Sequence, residues 1–109
     1  MWQNAMMDRS GIIERLKAHR ARLNALGIES VSLFGSAARG EAAAGSDIDL
    51  AVRLGGGFSR GGFDYFARLD ALRNELAIVL EAPVDVIEEP ASSPDLQAEI
   101  ERDRVVAFR

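Results

Sequence analysis

The chain has 109 residues, 48% hydrophobic and 28% charged, enough for one core and too apolar for a disordered segment. It has no cysteine, which excludes disulfides and thiolate metal sites, and no apolar run near the roughly twenty residues that span a bilayer. The net charge of −4 is concentrated beyond Leu54, where eleven acidic residues stand against six basic ones, a balance that disfavours counterion-driven binding to long nucleic acid.

Met1 to Asp8 has neither the basic nor the apolar region of a signal peptide, so a cytoplasmic location is expected, with Trp2 in a loose terminus. Ile12, Leu16, His19, Leu23 and Leu26 follow spacings of four and three, the stripe of an amphipathic helix over about Ser10 to Leu26. Ser10 serves as its N-cap and Gly27 as its stop. Arg15, Arg20 and Arg22 read as a solvated basic face, with a partner-binding face as the other reading, and His19 is given a packing role rather than a chemical one.

Val31 to Phe34 reads as a strand that ends in a Gly35-Ser36 turn. Ala37 to Ala44 is expected to form a short helix whose positive N-terminal end follows Ser36, and Gly45-Ser46 turns the chain into a second strand. On that strand, Asp47 and Asp49 alternate with Ile48, Leu50 and Val52, so one face carries carboxylates and the other joins the core. Two carboxylates about 7 Å apart along a strand can share hard divalent cations, and magnesium is the natural choice because it takes one or two carboxylates plus substrate phosphates. The Gly35 backbone, the Ser36 hydroxyl and the Arg39 guanidinium would supply the phosphate side. Arg39 has two further readings, as a surface arginine or as structural support for the loop, with Glu41 as an alternative partner.

Gly55 to Gly62 holds five glycines in eight residues and reads as a flexible connection containing Arg60. Phe63, Phe66, Leu69, Leu72, Leu76, Val79 and Leu80 predict a long helix from about Phe63 to Leu80 with this stripe in the core, broken by Pro83. Val84 to Ile87 is the third strand, with Asp85 facing away from Val84 and Val86. If that strand neighbours the Asp47/Asp49 strand, its carboxylate joins theirs; a solvent-facing edge aspartate and a buried salt bridge are the other readings. Glu88 and Glu89 are assigned to the loop before Pro90. Ser93-Pro94 starts a helix of about two turns ending near Asp103, and Arg104 to Phe108 forms a last strand.

A strand, a Gly-Ser turn, ten residues and an Asp-x-Asp strand, here Gly35-Ser36, Ala37 to Ser46, then Asp47 and Asp49, resemble the nucleotidyltransferase superfamily typified by DNA polymerase beta. Gly35 to Glu41, of the form Gly-Ser-x-Ala-Arg-Gly-Glu, is most similar to the minimal nucleotidyltransferases. The resemblance implies an α/β (α+β) nucleotidyltransferase fold, with a small mixed sheet of about four strands flanked by helices, as one domain over 1–109. It implies catalytic and metal-binding roles for Asp47, Asp49 and Asp85, two Mg2+ ions, and ATP held by Gly35, Ser36 and Arg39. It also implies transfer of AMP to a tyrosine of a HEPN-domain toxin, the present chain being the antitoxin. Two other readings stand beside this one: a non-catalytic binding antitoxin or nucleotide sensor, and a subunit of an aminoglycoside nucleotidyltransferase.

Overall fold

The computed structural model describes residues 8–41, 47–55 and 63–109; Trp2, Ala42 to Ser46 and most of the Gly55 to Gly62 connection, with Arg60, lie outside them. The chain starts with helix α1 (Arg9–Ala18), capped by the Asp8 carboxylate, which accepts the Gly11 N–H at 2.9 Å. Helix α2 (Arg20–Ala25) follows after a break at His19. The expected single helix is therefore two, and the cap is Asp8 rather than Ser10. His19 leaves helical geometry, its N–H reaching back to the Leu16 and Lys17 carbonyls while its Nδ1 donates to the Arg15 carbonyl at 2.9 Å. Because only one residue intervenes, Leu16 and Leu23 still land in the same core, whereas Leu26, after the last turn, is 38% exposed. Gly27 turns the chain at φ 107, a left-handed conformation that suits glycine.

Four strands follow, β1 (Ile28–Phe34), β2 (Ile48–Leu54), β3 (Val84–Glu88) and β4 (Val105–Phe108), in the order β3-β2-β1-β4. β1 pairs antiparallel with β2 and β4, while β2 and β3 run parallel. A parallel pair needs a crossover, and helix α4 (Phe63–Leu80) provides it. The mixed sheet flanked by helices is the α/β architecture expected from the sequence.

The two sheet faces are unequal. Val31, Leu33, Ile48, Leu50, Val52 and Val84 face the large core, which Ile12, Leu16, Leu23, Leu72, Leu76 and Leu80 close from α1, α2 and α4. The opposite face carries Phe34 and Ala51, covered by Ile100 of helix α5 (Pro94–Asp103). Strand alternation produces this division, so Asp49, two residues before Ala51, belongs to the α5 face. Among the described residues, no helix is long and apolar enough to cross a membrane.

Two expectations about side chains fail. Phe66 is 74% exposed, because Tyr65, Leu69, Leu72 and Leu76 set the inward face of α4 and a residue adjacent to Tyr65 is turned about 100° away. Phe66 instead meets Tyr65 edge-on, with centroids 5.2 Å apart. The Tyr65 hydroxyl donates to Glu88, which pushes its pKa up to about 12 and ties α4 to the edge strand.

Glu88 is not a loop residue either, whereas Glu89, as expected, lies beyond the strand. Glu88 closes β3, and the Glu89 N–H extends the pairing to the Val52 carbonyl at 2.8 Å. The Glu89 side chain, 1% exposed, meets Arg104 through two bonds of 2.8 and 2.5 Å. Gln97 donates to Glu89 at 2.8 Å, and Arg104 also donates to the Ser32 hydroxyl at 3.2 Å. This network fastens both ends of α5 beneath the sheet.

Candidate active site

The site is built where three strands reach the same level. Phe34, at the end of β1, pairs with Asp49, and Asp49 pairs with Asp85 across the parallel β2–β3 ladder. Residues opposite each other on adjacent strands share a face, so the two carboxylates rise side by side from strands about 4.8 Å apart. Asp49 is half-buried and Asp85 exposed. Asp47 is exposed and stands just ahead of β2, at the strand's entrance rather than within it. The third strand thus neighbours the second, and Asp85 does not take up a buried salt bridge.

Beyond Phe34 the chain forms helix α3 (Gly35–Ala38), four residues that turn it back over Asp49. Gly35 has φ +71, and a Cβ added there would lie closer than 3.0 Å to Asp49 Oδ2 and 3.3 Å from Asp49 Cγ. A bare backbone is therefore what lets the Gly-Ser turn approach the carboxylate. Ser36 is half-buried, and its carbonyl accepts the Glu41 N–H at 2.8 Å, closing the turn. Arg9 Nη1 donates to the Ala38 carbonyl at 2.7 Å, holding α3 from the α1 side. Gly35→Ala is expected to cost about 1–3 kcal/mol of stability and to displace Asp49, which chemical denaturation and nucleotide titration of the variant would measure.

Arg39 follows α3. Its Nε donates to Glu41 Oε1 at 2.9 Å and its Nη1 to Asp103 Oδ2, at the end of α5, at 2.7 Å. These carboxylates raise its pKa, the bond to Glu41 being the main cause. Arg39 is therefore both exposed and tethered, joining the motif to α5.

Sequence reasoning passed over Glu99 and Asp103. Burial first, then the charges of Asp85, Glu99 and Asp47, push the Asp49 carboxyl above its ordinary pKa, with Arg39 pulling the other way. Glu99 precedes the buried Ile100, and Asp103 stands four residues further on, so both lie along one flank of α5. The i, i+4 spacing was visible in the sequence, but which flank of α5 met the sheet was not.

Among the described residues, no three carboxylate or imidazole groups converge tightly enough to hold a metal ion by themselves. Asp49 and Asp85 nonetheless suit a hard divalent cation. They are oxygen donors with a mutual repulsion that a cation relieves, and magnesium completes its shell with water and substrate phosphate rather than a protein cage.

A family profile described as a nucleotidyltransferase domain matches residues 13–107. The chain belongs to the nucleotidyltransferase domain family. It is by that membership a transferase, of a family that uses nucleotides and divalent metal. A solved structure assigned to a minimal nucleotidyltransferase superposes with a TM-score of 0.71 at 29% identity, covering 91% of this chain and 95% of that one. A chain of the toxin–antitoxin MntA-HepT superposes at 0.53 with 25% identity, covering 92% and 68%. The fold also matches, at 0.57 and 21% identity, a chain from the complex of tri-AMPylated Shewanella oneidensis HEPN toxin with MNT antitoxin, covering 88% and 71%. No curated protein matches the chain in sequence. For a nucleotidyltransferase domain, the Gly35 turn against Asp49 is the feature where the local backbone and the acidic pair meet.

Proposed function

We propose that the chain transfers AMP from ATP to a tyrosine hydroxyl of a HEPN-domain toxin and thereby acts as the antitoxin of a cytoplasmic toxin–antitoxin pair, with residues 1–109 working as one domain. The observation that carries this reading is the Asp49–Asp85 register beneath the Gly35 turn. Toxin–antitoxin complexes among the structural relatives support the choice of partner, and the tri-AMPylated toxin supports the choice of group transferred.

In this reading Asp47, Asp49 and Asp85 hold two Mg2+ ions. Bound there, the ions supply charge neutralisation of the triphosphate and of the acceptor oxygen. The Gly35 backbone and the Ser36 hydroxyl bind the β- and γ-phosphates, and the Arg39 guanidinium supplies positive charge to them. The acceptor oxygen forms a bond to the α-phosphorus as the bond to the leaving pyrophosphate breaks. Asp85, the more exposed of the paired carboxylates, takes the hydroxyl proton.

The test incubates the chain with ATP, magnesium and a HEPN-domain toxin, and reads intact mass. A gain of one or more AMP units on the partner is expected. Neutralisation of the partner with no mass gain, persisting in Asp47→Ala, would overturn transfer in favour of a binding antitoxin.

A further inference from the structure

The last residue of α5 bears a carboxylate that the proposed chemistry does not use. The Asp103 side chain is 7% exposed, far more enclosed than Glu41 at 63%, and both bond Arg39. Exposed ion pairs constrain a side chain weakly, so of the two it is Asp103 that fixes where the guanidinium stands. Arg102 Nε lies 3.6 Å from the other Asp103 oxygen, which balances the carboxylate's second face. The next residue, Arg104, is held in the buried pair with Glu89, just beyond the strand that carries Asp85. Arg39 is thus gripped by a carboxylate whose backbone neighbour is anchored to the β3 side of the site.

We propose that Asp103 is a positioning residue for nucleotide binding: it holds the Arg39 guanidinium, at 2.7 Å, as a preset arm beside the triphosphate site. The inference rests on the phosphate role given to Arg39 above. Preorganisation is the physical content. Without Asp103 the long Arg39 side chain must be ordered each time a triphosphate binds, and that ordering subtracts from affinity. Arg39 stands at the C-terminal end of α3, the turn whose Gly35 approaches Asp49, so the arm starts from the site's own backbone.

The experiment measures ATP–Mg affinity by calorimetry and the kinetics of partner modification for the wild type, Asp103→Asn, Arg39→Ala and the double variant. Asp103→Asn is expected to raise the Kd and KM for ATP about tenfold while leaving kcat at saturating ATP within about twofold. In the Arg39→Ala background the same change should add nothing, because the two act as one unit. Asp103→Glu, which keeps the charge, should restore part of the affinity. Thermal unfolding run alongside separates this from loss of fold, which would lower kcat and KM-dependent rates together. Unchanged affinity in Asp103→Asn, or an equal loss with and without Arg39, overturns the inference. If the wild type binds ATP but modifies no partner, the proposed function fails while the calorimetric comparison still decides the role of Asp103; if the wild type binds no ATP, both fail.

Discussion

Asp49→Asn is expected to lower nucleotidyl transfer about a thousandfold or more without weakening the fold. Loss of a charge that stabilises the transition state by several kcal/mol, at 1.36 kcal/mol per tenfold, sets that scale. The fold should tolerate the change because Asp49 is a burden to it: burial and the neighbouring Asp85, Glu99 and Asp47 all disfavour its ionised form. Asparagine keeps the shape, removes the repulsion and leaves the space under Gly35 filled. Initial rates of partner modification and a urea titration on the same preparation check both halves. A rate within tenfold of wild type would remove Asp49 from the chemistry, and a marked loss of stability would mean that the carboxylate serves the fold.

Glu89→Gln should have the opposite signature, with a large loss of stability and its effect on activity following from that. It leaves Arg104, 19% exposed in its side chain, without the carboxylate that takes both its nitrogens. Breaking a buried pair from one side costs about 3–5 kcal/mol, a large share of the roughly 5–15 kcal/mol that holds a small domain together. Replacing both partners with apolar residues, as in Glu89→Leu with Arg104→Met, should recover much of that loss, because no charge is then stranded. The pH dependence has a definite sign. The bond from Arg104, aided by Gln97, holds the Glu89 carboxyl below its ordinary pKa of 4.5. Its contribution is therefore complete above about pH 4.5 and is lost as pH falls through the lowered folded value. Acid unfolding of the wild type should steepen in that range, and Glu89→Gln should show a flatter profile.

The parts of the molecule legible in the sequence were those specified by local chemistry. Phe63–Leu80 forms the helix at the limits its apolar stripe and Pro83 set, and Ser93 caps α5 with Pro94 in its first turn. The Gly-Ser turn and the strand that carries Asp49 were legible because local spacing encodes them, although Asp47 falls just ahead of that strand. What spacing does not encode is which strands become neighbours, and the level of Asp85 beside Asp49 depends on β3 lying next to β2. The same limit hid Glu89, since a glutamate before a proline looks solvated until an arginine fifteen residues later closes on it. His19 fitted the helical stripe so well that the break there left no trace in the pattern.

The sheet order also governs how the molecule is made. β1 lies between β2 and β4, and Val31 finds its partner Phe108 only after nearly all the described chain has been synthesised. Until then a growing polypeptide carries a central strand with one bare edge, flanked by Val31 and Leu33, a surface open to mispairing in the crowded exit from the ribosome. The acidic pair on β2 and β3 can form early, but the segment that encloses it arrives with the closing strand, so maturation of the site and protection of that edge are a single late event.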